Sequence, residues 1–214
     1  MSKRTPLQKY ITPVGVARYP HLNKPDTRFD DEGVYKVDLI VDADVARPLI
    51  EKLEAIRDEK FGELGPAQRK QYRKADVYEP EYDDAGDETG NVIFRTKLNA
   101  IGRSKNTGET WDNSPKLFDS KGNSLPEDVQ IWSGSKLIVA GKVMPYAMGS
   151  TKTVGVSLKC DGVQVIELVS GGGQTADSFG FGEVEGGFET DASRHGFVPQ
   201  GDVDESSDEE DEDF

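Results

Sequence analysis

From residue 174 to its end the chain carries fourteen Asp or Glu against one base, Arg194, a net charge of −13. Like charges at that density cannot bury enough apolar surface to offset the entropy of ordering, so residues 174–214 are expected to be disordered and to add nothing to a core. The whole chain has a net charge of −14, so residues 1–173 hold 25 bases against 26 acids, a net of −1. The acidity belongs to the tail, and folding falls to a nearly neutral body. Such a body can gather its bases on one face and bind phosphate, which a uniformly acidic surface would repel.

The tail closes on Ser206-Ser207-Asp208-Glu209-Glu210-Asp211-Glu212-Asp213-Phe214. An acidic string can be a plain solubility device. An aromatic ring beside an α-carboxylate at its end also suits a basic, apolar-floored pocket on a partner, so Phe214, with Asp211, Glu212 and Asp213, is the candidate docking element.

Residues 1–173 suit one domain of common size, with apolar stretches at 34–41 and 137–143. No window approaches the roughly 20 apolar residues of a membrane span, and Met1-Ser2-Lys3-Arg4 leads into no apolar run, so a soluble, intracellular protein with no membrane partner is expected. The single Cys160 cannot form an internal disulfide; in Ser157-Leu158-Lys159-Cys160 it reads as a buried structural residue. One Cys with His21 and His195 far apart assembles no four-ligand zinc site, and so few histidines argue against His-driven acid–base chemistry. Phosphate-loop, zinc-protease, nucleophile-elbow and EF-hand motifs are absent, so no enzyme and no cofactor are expected. The one carboxylate cluster of the body, Asp83-Asp84 with Asp87-Glu88, reads as a solvated loop rather than a Mg²⁺ site.

Residues 10–18 alternate weakly and predict an edge strand, and 23–32, rich in Pro, Asp and Asn, a loop. Residues 33–41 alternate clearly, with Val34, Lys36 and Asp38 on one face and Tyr35, Val37, Leu39 and Val41 on the other. Asp42 is a good N-cap for a helix over 43–61 whose Leu49, Leu53 and Ile56 share a face, with Gly62 as its stop. Pro66 opens a second helical piece to about residue 75, and 76–90 predicts an exposed loop. Residues 91–101 predict a strand with Val92, Phe94, Thr96 and Leu98 on one face; 102–115 predicts a polar loop. Short strands are expected at 116–119, ended by an Asp119-Ser120-Lys121-Gly122-Asn123 turn, and at 129–132. Two long strands, 135–146 and 151–169, join through Ala147-Met148-Gly149-Ser150, and Gly171-Gly172-Gly173 ends the domain. The sum is a mainly β (α+β) domain, a small barrel with an inserted helix.

Bases interleave with aromatics on these strands and loops. Lys36, Arg95, Lys97, Arg103, Lys105, Trp111, Lys136, Lys142, Tyr146 and Lys152 are the candidate residues for single-stranded DNA. Cations track phosphates while rings stack on unpaired bases. Phe94 and Trp132 read as core rings; Tyr146, after Pro145, is the ring that core packing explains least.

Gly33-Val34-Tyr35-Lys36-Val37-Asp38-Leu39, Asp119-Ser120-Lys121-Gly122, Gly134-Ser135-Lys136-Leu137, Pro145-Tyr146, Gly171-Gly172-Gly173 and the tail ending in Asp213-Phe214 resemble, in order and spacing, the single-stranded DNA-binding proteins of short-tailed bacteriophages. The resemblance covers most of the chain. It implies a five-stranded oligonucleotide-binding (OB) barrel with an inserted α-helix, a basic groove with a stacking tyrosine, and a disordered tail that contacts the replisome. Tyr146 falls on the family's stacking tyrosine, Lys136 on a lysine of the same strand, and Phe214 on the terminal phenylalanine that docks on DNA polymerase and helicase-primase. Glu32 stands where similar proteins have an arginine before Gly-Val-Tyr-Lys, and the loop after Phe94-Arg95-Thr96-Lys97 has its own spacing, so Arg103 and Lys105 are assigned by charge.

The expected function is to coat and protect single strands in phage DNA replication, recombination and repair, as a homodimer in the cytoplasm of the infected cell. The tail, with a reach of roughly 35 Å, would compete for the groove. Tail-controlled binding of this kind would also permit strand annealing. Two other readings fit less of the chain: an acidic-tailed chaperone of basic proteins that binds no DNA, and a metal-dependent nuclease built on Asp83, Asp84 and Asp87.

Overall fold

Alternation decides the centre of the fold. The computed structural model describes residues 7–104 and 107–169. Strand β3 (Val34–Asp42) buries Val37, Leu39 and Val41 and turns Lys36 and Asp38 outward, as its sequence pattern predicts. Strand β6 (Glu88–Asn99) pairs antiparallel with the whole of β3 through its residues 91–99 and buries Val92, Phe94, Thr96 and Leu98. Before them come β1 (Lys9–Ile11) and β2 (Gly15–Asp26). After them come β10 (Lys136–Met148), β11 (Thr153–Lys159) and β12 (Gly162–Glu167).

Five strands pair in a path that returns to its start: β2 with β3, β3 with β6, β6 with β11, β11 with β10, and β10 with β2. The β6–β11 contact is parallel, through Leu158↔Thr96 and Lys159↔Lys97. Leu137, Val139 and Val143 of β10 and Leu158 of β11 complete the apolar interior with β3 and β6.

The helix α1 (Ala43–Gly62) is inserted between β3 and β6. Asp42 caps it, accepting from the backbone N–H of Asp44 at 3.0 Å and Val45 at 3.1 Å. Leu49, Leu53 and Ile56 form the buried stripe, which packs on β10 and β11. No helix among the described residues is long and apolar enough to cross a membrane.

Several elements depart from the sequence expectation. The edge strand expected at 10–18 divides into β1, paired with β10, and the start of β2, paired with β3. Thr12 makes the crossing, donating N–H to Val139 O at 2.9 Å and accepting from Val139 N at 2.9 Å. β2 then runs on to Asp26 through the expected loop. The second helical piece, α2 (Pro66–Arg69), is one turn long, because the chain must rise into β4 (Arg73–Lys74). There Arg73 and Ala75 donate to the carbonyls of Lys152 and Val154.

The loop expected at 76–90 is a hairpin of β5 (Glu79–Tyr82) with β6. β5 and the first residues of β6, Glu88 to Gly90, are mostly exposed and carry no periodic signal. Asp83 closes the turn, its Oδ1 accepting from Ala85 N and Asp87 N, both at 2.9 Å. The polar loop expected at 102–115 contains a ribbon of β7 (Ile101–Arg103) and β8 (Thr110–Asp112), and β9 (Lys116–Phe118) follows, ended by the expected Asp119 turn. No strand forms at 129–132. The Asn23 side-chain amide takes the place of a neighbouring backbone, donating to Val129 O at 2.7 Å and accepting from Ile131 N at 3.0 Å.

The long strand expected at 151–169 is broken into β11 and β12 at Cys160-Asp161, yet both pieces pair with β10. Gly141 of β10 faces the break, and a Cβ there would overlap the Lys159 carbonyl oxygen. Cys160 is fully buried, as expected.

Candidate nucleic-acid interface

The outward residues of β3 and β6 do not scatter; the register puts like charges side by side. His21 of β2 opposes Lys36 of β3, Lys36 opposes Lys97 of β6, and Lys97 opposes Lys159 of β11. Cross-strand partners share a face, so three lysines and a histidine form one row across four strands. Like charges directly opposed destabilise a sheet, and an anion laid across the row removes the penalty. Among the described residues, neither Lys97 nor Lys159 has an acid within ion-pair distance.

Lys36 is held differently. Its Nζ lies 2.7 Å from Asp26 Oδ2, and Asp26 also binds Arg28 Nε at 3.0 Å and faces His21 Nε2 at 3.9 Å. Hydrogen bonds from the Arg28 side chain and then from Lys36 hold the Asp26 carboxyl well below the usual carboxylate range. In the next row, Asp38 sits between Arg18 at 3.6 Å and Arg95 at 3.8 Å, and Arg95 reaches Glu79 at 2.7 Å.

Two depressions border the Lys36–Lys97 pair, one lined by Lys36 and the other by Lys97. The first, about 570 Å³, is lined by Tyr19, Pro20, His21, Arg28, Lys36, Asp38, Arg95, Trp132 and Ser133. The second, about 430 Å³, is lined by Lys97, Lys159, Arg103, Trp111, Met144, Ser157 and their neighbours. Trp111 lies flat on its cross-strand partner Gly102, where any side chain would overlap the ring, and donates Nε1–H to Asn113 Oδ1 at 2.9 Å. Arg103 is bound to Glu32 at 2.6 Å, so the acid at that corner occupies a base of the second depression.

Of the residues the sequence singled out, Lys36, Arg95, Lys97, Arg103 and Trp111 come together on this surface. Tyr146 is half-buried on β10, opposite Gly155, with its hydroxyl end over that glycine and near Ala75. It lies two residues along the strand from Met144, which lines the second depression. Lys136, Lys142 and Lys152 border neither depression. Lys136 is bound to Glu167 at 2.9 Å, and Lys142 lies 3.7 Å from Asp161. Lys152, at φ 51° in the β10–β11 turn, sits 5.4 Å from the Tyr72 ring centroid. Lys105, Asp211, Glu212, Asp213 and Phe214 lie outside the described residues.

Sequence reasoning missed Tyr19, His21, Arg28 and Lys159, and placed Trp132 in the core. Phe94 is indeed fully buried, but Trp132 is 43% exposed, because 129–132 is not a strand and turns its ring outward. Lys159 was legible in the alternation of Leu158 inward and Lys159 outward; Tyr19 and Trp132 carry no local signal.

The family model described as single-stranded DNA-binding protein, bacteriophage T7, matches residues 14–168. The chain belongs to this family. It is 29% identical to the single-stranded DNA-binding protein of Enterobacteria phage T3, over 96% of this chain and 97% of that one. Against the single-stranded DNA-binding protein of Escherichia phage T7 the identity is 28%, over 95% and 93%. The crystal structure of T7 gp2.5, a single-stranded DNA-binding protein, superposes with a TM-score of 0.62 at 25% identity, covering 86% of this chain and 100% of that one. The bacteriophage Enc34 single-stranded DNA-binding protein, solved in complex with ssDNA, shares the fold at a TM-score of 0.51 and 14% identity, covering 74% and 86%.

Proposed function

We propose that the chain is a phage single-stranded DNA-binding protein that lays the strand across the β2–β3–β6–β11 face. The observation that carries this is the register of Lys36, Lys97 and Lys159, three cations in one cross-strand row with exposed rings on either side. Family membership and the likeness to T7 gp2.5 support the same reading. The ring of five strands is an OB barrel in this view, with α1 as its insertion, and OB folds bind oligonucleotides on this kind of sheet face. Binding without sequence preference follows, since phosphates and π-faces are common to every strand.

The remaining proposals rest on sequence and family likeness. The acidic segment 174–214 competes with DNA for the cationic row and, when displaced, offers Phe214 to the phage polymerase and helicase-primase. By linkage, a partner that captures the tail tightens DNA binding by the same factor. A homodimer acting in replication, recombination, repair and strand annealing in the infected cell completes the picture. Against the nuclease reading, Asp83 spends its carboxylate on the hairpin turn, and no metal-holding group of three or more such residues occurs among the described residues.

The test is a titration of short dT oligonucleotides and their duplexes, with the full chain and a chain ending at Gly173, at several salt concentrations. Preference for dT, a slope near −0.7 per phosphate contact and tighter binding after truncation support the groove and the competing tail. Equal, weak binding of both ligands by both chains returns the chaperone reading.

A further inference from the structure

The first depression holds two aromatic rings that neither the core nor the cationic row explains. Tyr19 is 67% exposed and Trp132 43% exposed. Single exposed rings are ordinary, but these two come from segments 113 residues apart that are tied together by hydrogen bonds of the neighbouring residues. Tyr19 N–H donates to Ser133 Oγ at 3.1 Å, and Gly134 N–H donates to Ala17 O at 2.9 Å. Gly134, at φ 92°, lets the turn after Trp132 fold back on β2.

Tyr19 itself sits at φ 50°, a left-handed conformation that a bulky residue rarely adopts, within the register shift between Arg18 and His21. The irregularity turns the ring out of the sheet instead of into it. The Arg18 guanidinium lies 5.5 Å from the ring centroid and steadies it. Both rings border a depression whose other walls include Arg28, Lys36 and Arg95.

We propose that Tyr19 and Trp132 form a stacking slot for unpaired nucleobases, fed by phosphates held on Arg28, Lys36 and Arg95. This rests on the single-stranded DNA reading and assigns its stacking residues on the β2 side of the groove. The slot takes any base, because stacking uses the π-face and no base edge is read. It excludes duplex, whose bases are already stacked on one another.

The experiment uses the full chain, a labelled dT oligonucleotide and an abasic oligonucleotide of the same length. Tyr19→Ala and Trp132→Ala should each weaken dT binding about 5- to 150-fold, the range for losing one base–ring stack. The salt slope should stay at the wild-type value, since no phosphate contact is removed. Abasic binding should be the same in wild type and variants, and Tyr19→Phe and Trp132→Phe should recover most of the dT affinity. If Trp132→Ala does not fold, Tyr19→Ala, whose ring is two-thirds exposed, carries the comparison. Alanine variants within twofold of wild type on dT, or an equal loss on dT and abasic strands, would overturn the slot while leaving the groove intact. A wild-type chain that does not prefer dT over duplex would overturn the reading beneath it as well.

Discussion

Lys97→Met tests the cationic row from two sides. The substitution keeps the apolar stem and removes a charge that opposes Lys36 on one side and Lys159 on the other. Each like-charge cross-strand contact costs roughly 0.2–1 kcal/mol, and the Lys36 contact is partly offset by Asp26, 2.7 Å away. Removing the Lys97 charge should therefore stabilise the free protein by about 0.5 kcal/mol at low salt, a rise of about 1–2 °C in Tm for a domain of this size. The gain should shrink as salt screens the row. DNA binding should change in the opposite sense. One lost phosphate contact lowers the salt slope by about 0.7, so affinity at about 50 mM salt falls about 8-fold and converges with wild type near 1 M. Calorimetry at two salt concentrations and a dT titration over the same range read both effects. A variant that melts lower than wild type and keeps the full salt slope would refute the row as a phosphate track.

Glu32→Gln releases Arg103 from its 2.6 Å partner and should steepen the salt slope by about 0.7 with little change in stability, because both side chains are exposed; an unchanged slope in the dT titration would separate Arg103 from DNA. Asp26 has its folded pKa depressed, so its stabilisation is complete above the ordinary carboxylate value near 4 and is lost as pH falls below it. Urea melts from about pH 6 to about pH 2 should show a shallower acid limb in Asp26→Asn than in wild type, and parallel limbs would contradict this assignment. Burial, with a smaller push from Asp161, drives the Cys160 thiol up to about 12. Thiolate is the reactive form, so an aromatic disulfide reagent at about pH 8 should label Cys160 only after unfolding, and rapid native labelling would place it elsewhere.

Periodicity made β3, β6 and α1 legible residue by residue, because burying one face of a strand or one stripe of a helix is a local constraint written every second or every third to fourth position. The buried Phe94, the Asp42 cap and the Asp119 turn were legible for the same reason: each is settled within a few residues of chain. β5, β7 and β8 were not, since their side chains face solvent and nothing selects alternation there. Asn23 standing in for a strand beside Val129 and Ile131 is invisible in either segment alone.

The same division runs through the site. The bases and aromatics, their excess over what a core needs, and the concentration of the net negative charge in 174–214 are properties of the sequence itself. Which lysines oppose which depends on cross-strand register, and register is set by the strands that happen to become neighbours. Only the folded sheet could place Lys159 beside Lys97, bring Tyr19 to Trp132 across 113 residues, and leave Lys136 and Lys142 bound to acids away from both depressions.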